Sequence, residues 1–271
     1  MSDSRYTKFD DVRTIVQKEW ADTLRNKLIL YVIIFVPVVM TAIPIILLFI
    51  MGRVPVSPSD LEDMQNMLNN PLFAGMDPRE ALQSVMASNM LMLFLIMPLM
   101  VPVTIASYSI VGEKITRSLE PLLATPISTT RLLVGKSLAA ALPGVLMTWL
   151  CYAVFIVAAR FFAVSDRVFA VFIAPMWLIV MLILVPLLTI LAVNTGVIIS
   201  SRVNDPRAAE QLGALVILPF IVLFIGAFSG FIMLNAATFT ITSLLVGAID
   251  LVLVVIGTRL FQREAILTRW K

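Results

Sequence analysis

The sequence predicts an all-α integral membrane protein with six transmembrane helices and both termini on the cytoplasmic side. Three observations predict it. Hydrophobic residues make up 60% of the 271 and charged residues only 14%, with a mean hydropathy of +0.99, so too little polar surface exists to cover a water-soluble globule. The apolar residues are gathered into uncharged runs as long as a bilayer-crossing helix, which needs about 17 to 25 residues. Lys and Arg are distributed unevenly between those runs, in the way the positive-inside rule requires.

The N-terminal segment, residues 1 to 27, carries charges of both signs. It lacks the short apolar core and small-residue cleavage site of a signal peptide, so it is expected to be retained. Within it, Val12, Ile15, Val16, Trp20 and Leu24 recur at helical spacing while Arg13, Lys18, Asp22 and Arg25 take other faces, which predicts an amphipathic helix at the inner membrane surface. The transmembrane domain then runs from 28 to 261, and a cytoplasmic tail from 262 to 271.

Uncharged stretches extend over Leu28 to Gly52, Ala81 to Gly112, Ser137 to Ala159, Val168 to Ser201 and Gln211 to Ile249. The last continues past Asp250 to Thr258, which as one helix would be about 72 Å long at 1.5 Å per residue and cannot be a single crossing of a core about 30 Å thick. The polar and small residues Asn235-Ala236-Ala237-Thr238 divide it. Six spans follow, over 28 to 51, 90 to 111, 138 to 161, 169 to 199, 212 to 234 and 239 to 258. With the N-terminus inside, the cytoplasmic segments hold 16 Lys and Arg and the outer ones four, Arg53, Arg79, Arg160 and Arg167. A five-span chain would place Arg259, Arg263, Arg269 and Lys271 outside, against that rule. The net charge of +3 is therefore a topology signal and implies no nucleic-acid partner. The outer loop 52 to 89 predicts two short helices, one after Ser57-Pro58 and one after Asp77-Pro78-Arg79-Glu80, the second running on into the membrane.

The loop from 112 to 137 is the most informative. Ile115, Leu119, Leu122 and Leu123 line one face of a short helix whose other faces carry Lys114, Arg117 and Glu120, and Thr125-Pro126 ends it. Ser128 or Thr129 caps the next helix. A short amphipathic helix projecting between two spans suits docking onto a cytoplasmic protein.

These residues, Gly112-Glu113-Lys114, then Ser118-Leu119-Glu120-Pro121-Leu122-Leu123-Ala124-Thr125-Pro126-Ile127-Ser128, then Leu132-Leu133-Val134-Gly135-Lys136, resemble the permease subunits of ABC type 2 transporters, mostly exporters of bacteria and archaea. The order of elements is similar along nearly the whole chain, although only this stretch is specific. The resemblance implies that residues 113 to 128 form a coupling helix seated on an ABC ATPase subunit, with Glu113, Lys114, Arg117, Leu119, Glu120, Leu122 and Leu123 as contact candidates. It also implies an inner-membrane exporter, a homodimer or paired permease, and spans two and five beside the path. No Gly-x-x-x-x-Gly-Lys-Ser/Thr loop is present, so ATP and Mg are expected in the partner and no cofactor in this chain.

Other residues compete for a role. Asp250 sits near the centre of the last span, where an ionised side chain costs about 2.5 to 3.5 kcal/mol; it is a cation or proton site, a polar pin between helices, or a protonated Asp hydrogen-bonded to backbone or Ser/Thr. A secondary transporter using Asp250 is the alternative function, though such proteins carry inverted repeats and several intramembrane charges. Gly226 and Gly230 form a Gly-x-x-x-Gly pair suited to close helix packing. Pro98, Pro102, Pro175, Pro186 and Pro219 are expected to kink spans. Nine of the fifteen methionines fall between Met51 and Met100, more suited to adaptable apolar lining than to copper without His or Cys beside them. The lone Cys151 excludes an intramolecular disulfide. With no histidine in the chain, an intramembrane enzyme built on His-Glu-x-x-His zinc or a Ser-His dyad is ruled out.

Overall fold

The computed structural model describes residues 8–54, 75–115 and 129–260, which are helical with no strand among them. We number the helices α1 (Lys8–Arg25), α2 (Lys27–Met51), α3 (Pro78–Ile115), α4 (Thr129–Phe162), α5 (Asp166–Phe172), α6 (Pro175–Ile179, Val180–Leu184 and Val185–Arg202 in succession), α7 (Pro206–Phe228) and α8 (Ala236–Leu260). Among the described residues, six stretches are long and apolar enough to cross a membrane: α2, α3, α4, α5 with α6, α7, and α8. The chain is an all-α multi-pass membrane protein. The tail 262–271, the helix expected after Ser57-Pro58, and residues 116–128 of the coupling loop lie outside the described residues.

Helix starts follow local chemistry. Asn26 Oδ1 accepts from the backbone N–H of Leu28 at 3.0 Å and so starts α2, as N-cap side chains do. At α3 the Glu80 side chain accepts from Asp77 N–H at 3.1 Å, the returning half of the capping box expected there. Asn235 Oδ1 accepts from Thr238 N–H at 2.9 Å and starts α8, so the long apolar run divides where its polar residues fall. Between α7 and α8 the chain turns at Gly230, whose φ of +75° is open to glycine at little cost.

Three of the prolines act by one rule. Pro98, Pro186 and Pro219 each follow, at the same spacing, a stretch that is not α-helical: 3-10 turns at Met92–Ile96 and Leu215–Ile217 and a π-helix at Val180–Leu184. A proline lacks the N–H and its ring crowds the carbonyl four residues back, so the preceding turn is rewound. Thus Met97 N–H bonds Phe94 O and Val185 N–H bonds Val180 O. Pro175 instead opens a helix, its N–H not needed at N1, and Pro102 stays within regular helix.

The helix α3 is the hub. Its most apolar window is 78% buried, against 17% to 28% in α2, α4, α7 and α8, and it packs on α2, α4, α6 and α7. Three neighbours bring a glycine to one stretch of it. A Cβ on Gly144 of α4 would lie 2.6 Å from Pro102, on Gly213 of α7 2.5 Å from Val103, and on Gly196 of α6 3.0 Å from Ala106. Small residues at such contacts let helix backbones approach closely. At the end of the bundle away from α1, fully buried Gln83 closes the structure. Its Nε2 donates to Leu48 O at 2.7 Å and Phe162 O at 3.0 Å, and its Oε1 accepts from Val164 N–H at 2.9 Å. One amide thereby satisfies backbone groups at the ends of α2 and α4 that a helix terminus leaves open.

Candidate functional site

The coupling loop is bracketed by two helix ends. Glu113 and Lys114 form the last turn of α3, and α4 begins at Thr129, nine residues ahead of the span expected from 138. The helix α1 lies across both ends, packed chiefly on α4. A Cβ on Gly135 would come within 2.8 Å of Ile15, and Trp20 Nε1 donates to Ala139 O at 3.0 Å.

Where the three helices meet, charge is buried. The ammonium of Lys136 lies 2.7 Å from Glu19 Oε1 and 2.9 Å from Glu113 Oε2 and donates to Ser109 Oγ at 2.9 Å. Lys18 bonds Glu113 Oε1 at 2.7 Å, and Ser109 donates to Glu19 Oε2. Lys136, Glu19 and Glu113 are each less than a tenth exposed. Farther along the same contact, Arg131 pairs with Asp11 at 2.9 Å. Two carboxylates and two ammonium groups thus hold α1, the end of α3 and the start of α4 in one register.

Burial opposes a charge on Glu19, but the Lys136 ammonium and the Ser109 hydroxyl outweigh it and hold its carboxyl below the usual carboxylate range. Burial likewise opposes the charge on Lys18, and the hydrogen bond and charge of Glu113 outweigh it, raising Lys18 above the ordinary lysine range. A buried ion pair is weak evidence of net stability, since desolvation cancels much of the attraction, but it fixes geometry because any misalignment strands a charge.

A second polar layer joins α3 to α7. Asp205 Oδ1 accepts from Arg207 N–H at 2.8 Å and starts α7. Thr104 Oγ1 donates to Glu210 Oε1 at 2.7 Å, and Tyr108 stands beside Arg207, Glu210 and Asp205. Both layers lie at the α1 end of the bundle, on either side of the α3 terminus.

The chain matches the model of the ABC-2 family transporter protein over residues 13–245, from within α1 to within α8. It belongs to this family. No curated protein matches it. The chain is thus the membrane subunit of an ABC transporter, a permease that works with an ABC ATPase subunit.

Of the predicted coupling residues of this permease, Glu113 and Lys114 are placed at the loop's entrance, Glu113 turned inward to Lys18 and Lys136. Arg117, Leu119, Glu120, Leu122 and Leu123 lie outside the described residues. Gly226 and Gly230 were expected to pack helices, but within this chain they shape a turn. A Cβ on Gly226 would meet Ile232 of the following loop at 2.6 Å, and Gly230 supplies the positive φ. Asp250 is buried between α8 and α6, opposite Asn194, beyond the stretch that matches the family.

Sequence reasoning missed Glu19, Lys136 and Ser109. Periodicity places the α1 charges on faces away from Ile15 and does not mark Lys136 as buried. In the structure Ile15, Glu19 and Thr23 form the buried stripe of α1, while Trp20 and Leu24 face outward. The signal was present: Glu19 lies at i+4 from Ile15 and i−4 from Thr23, so packing Ile15 inward takes a carboxylate with it. The lipid-facing surface expected for α1 is therefore the Trp20 and Leu24 edge, and its neighbouring face docks on protein.

Proposed function

We propose that this permease is the membrane subunit of an ATP-driven exporter in the inner membrane of a bacterium or archaeon, with both termini cytoplasmic. Two copies, or this chain and a related one, enclose the path. ATP and Mg are bound by the separate ATPase, and this chain, with no phosphate-binding loop of its own, has no enzymatic activity. The orientation is supported by the excess of Lys and Arg at the α1 end.

The observation that carries the reading is the buried ion network that brackets the coupling loop. A loop that transmits closure of an ATPase must be stiff at its roots, or the displacement is absorbed locally. Glu113 immediately precedes the 116–128 stretch and Lys136 follows it, and the two pair directly at 2.9 Å. Through Glu19 and Lys18 they take α1 with them, so α1, α3 and α4 shift as one body. The α3 hub then passes the shift to α6 and α7 through the contacts at Val103 and Ala106.

The test is co-purification with the ABC ATPase that accompanies this permease. Replacing Leu119 and Leu122 together by Asp should abolish both association and ATP-dependent transport, while the variant still inserts and folds. Retention of both association and transport in that variant would overturn the coupling assignment.

A further inference from the structure

Prolines break the α-helical pattern of three spans, and the three breaks are held differently. In α6 the π-helical turn gives Val185 N–H to Val180 O, which releases Met181 O from its ordinary α-helical donor. The indole of Trp149 on α4 takes up that carbonyl, Nε1 donating to Met181 O at 2.7 Å, and Val180, Met181 and Leu184 are buried. In α3 the turn Met92–Ile96 carries fully buried Phe94, whose ring meets Phe155 and Tyr152 of α4 edge-on, with centroids 6.0 and 6.5 Å away. Tyr152 is itself fixed, donating to Phe172 O at 2.6 Å. Trp149, Tyr152 and Phe155, spaced three apart on α4, thus lock both breaks.

The third break, in α7, has no such clamp. Leu218 N–H turns back to Leu215 O, because Pro219 offers that carbonyl no N–H. Among the described residues no side chain hydrogen-bonds to this turn; Leu215 is more than half exposed and only Ile217 is buried. The helix on its two sides is held unequally. Its first segment, Pro206–Ala214, is pinned to α3 by the bond from Thr104 to Glu210 at 2.7 Å and by Gly213, where a Cβ would lie 2.5 Å from Val103. The second segment, Leu218–Phe228, has no polar side chain and buries only Phe220 and Ala227. It packs chiefly on the part of α3 before Pro98 and ends at the Gly230 turn.

We infer that α7 is jointed at Leu215–Ile217: the first segment moves with α3, and the second swings about the turn, opening and closing its seam with the part of α3 before Pro98. The physical reason is a weak restoring force. Kinks form at prolines, and 3-10 stretches within helices mark hinges. Parting the seam breaks no hydrogen bond, and acyl chains are as apolar as the side chains they would replace. The other two breaks cannot bend without pulling Trp149 from Met181 O or Phe94 from the rings of α4. A shift arriving through Val103 acts on the first segment, and the joint decides how far the second follows. That use of the joint rests on the coupling role proposed above, whereas the joint belongs to the permease alone, so failure of either leaves the other standing.

The experiment is double electron–electron resonance on the full-length permease in phosphatidylcholine nanodiscs. Each doubly labelled chain, in a Cys151→Ala background, is diluted into a large excess of unlabelled chain, so that only distances within one chain register. Nitroxides at Leu150→Cys on α4 and Leu212→Cys on the first segment report one distance, and Leu150→Cys with Val222→Cys on the second segment reports the other; all three side chains are exposed. The Leu150 to Val222 distribution should be about twice as broad as the Leu150 to Leu212 one, or split in two. Pro219→Ala restores an N–H for Leu215 O and should narrow the Val222 distribution to the width of the Leu212 one. Equal widths for the two pairs in the chain that keeps Pro219 overturn the proposal, and this comparison alters no helix backbone. So does a Val222 distribution that stays as broad in a Pro219→Ala protein whose elution is unchanged.

Discussion

The α1 end and the α6/α8 gap both bury carboxylates, and they treat them in opposite ways. At the α1 end Glu19 and Glu113 are met by Lys136, Lys18 and Ser109 within hydrogen-bonding distance. In the gap Asp250 faces one neutral side chain, the amide of Asn194. The first arrangement costs desolvation and returns a fixed geometry, which is what the roots of a force-transmitting loop require. The second sets a carboxyl against a neutral amide. Buried charge met by opposite charge marks where this permease must be stiff; a buried carboxyl met by an amide does not fix geometry in that way.

That contrast can be broken by substitution. The largest effect is expected from Lys136→Met, which leaves buried Glu19 with Ser109 and only a more distant Lys18 at 3.8 Å and should cost about 3 to 5 kcal/mol of unfolding free energy, the usual penalty for breaking one side of a buried pair. Adding Glu19→Gln should restore part of that loss, and denaturant unfolding of the solubilised chain reads both; a loss below about 1 kcal/mol would mean the network is already hydrated. Next comes Asp250→Asn. An amide can keep the contact with Asn194 while the cost of burying an ionisable carboxyl is removed, so the unfolding free energy should hold or rise by up to about 3 kcal/mol, and a clear drop would show that the carboxylate itself is required there.

The smallest effect is the pH response of α1 docking. The carboxyl of Glu19 is held below its ordinary range, so its contribution is fully present above that range and is lost only as pH falls through the lowered folded value. The 19F resonance of fluorotryptophan at position 20, assigned with Trp20→Phe, should therefore stay constant from neutral pH down into the ordinary carboxylate range and shift only below it. A shift centred above that range would assign the anchoring to another group.

Much of the architecture was legible because lipid imposes it. Charges cannot be scattered through a bilayer, so the uncharged runs had to be the spans, and caps at Asn26, Asp77 and Asn235 had to sit where the chain re-enters. The helices outrun the spans: α3 starts at Pro78 and α4 at Thr129, where their capping residues predict a start, while α7 starts at Pro206, ahead of the span expected from 212. Hydropathy reports the lipid-facing centre of a helix and is blind to a polar turn that protein contacts keep helical.

The sequence by itself determined the class of the protein, the number of its spans, and the loop from 112 to 137 that identifies its kind, because these depend on local patterns of charge, apolar length and turn residues. Tertiary structure alone decided that α3 is the hub, that Gly144, Gly196 and Gly213 converge on it, and that Gly226 and Gly230 serve a turn instead. It alone joined Glu19 to Lys136, which are 117 residues apart in the chain, and set Asp250 against Asn194. Helical periodicity says which residues share a face; which faces meet depends on the packing of all the helices together, and no local window contains that information.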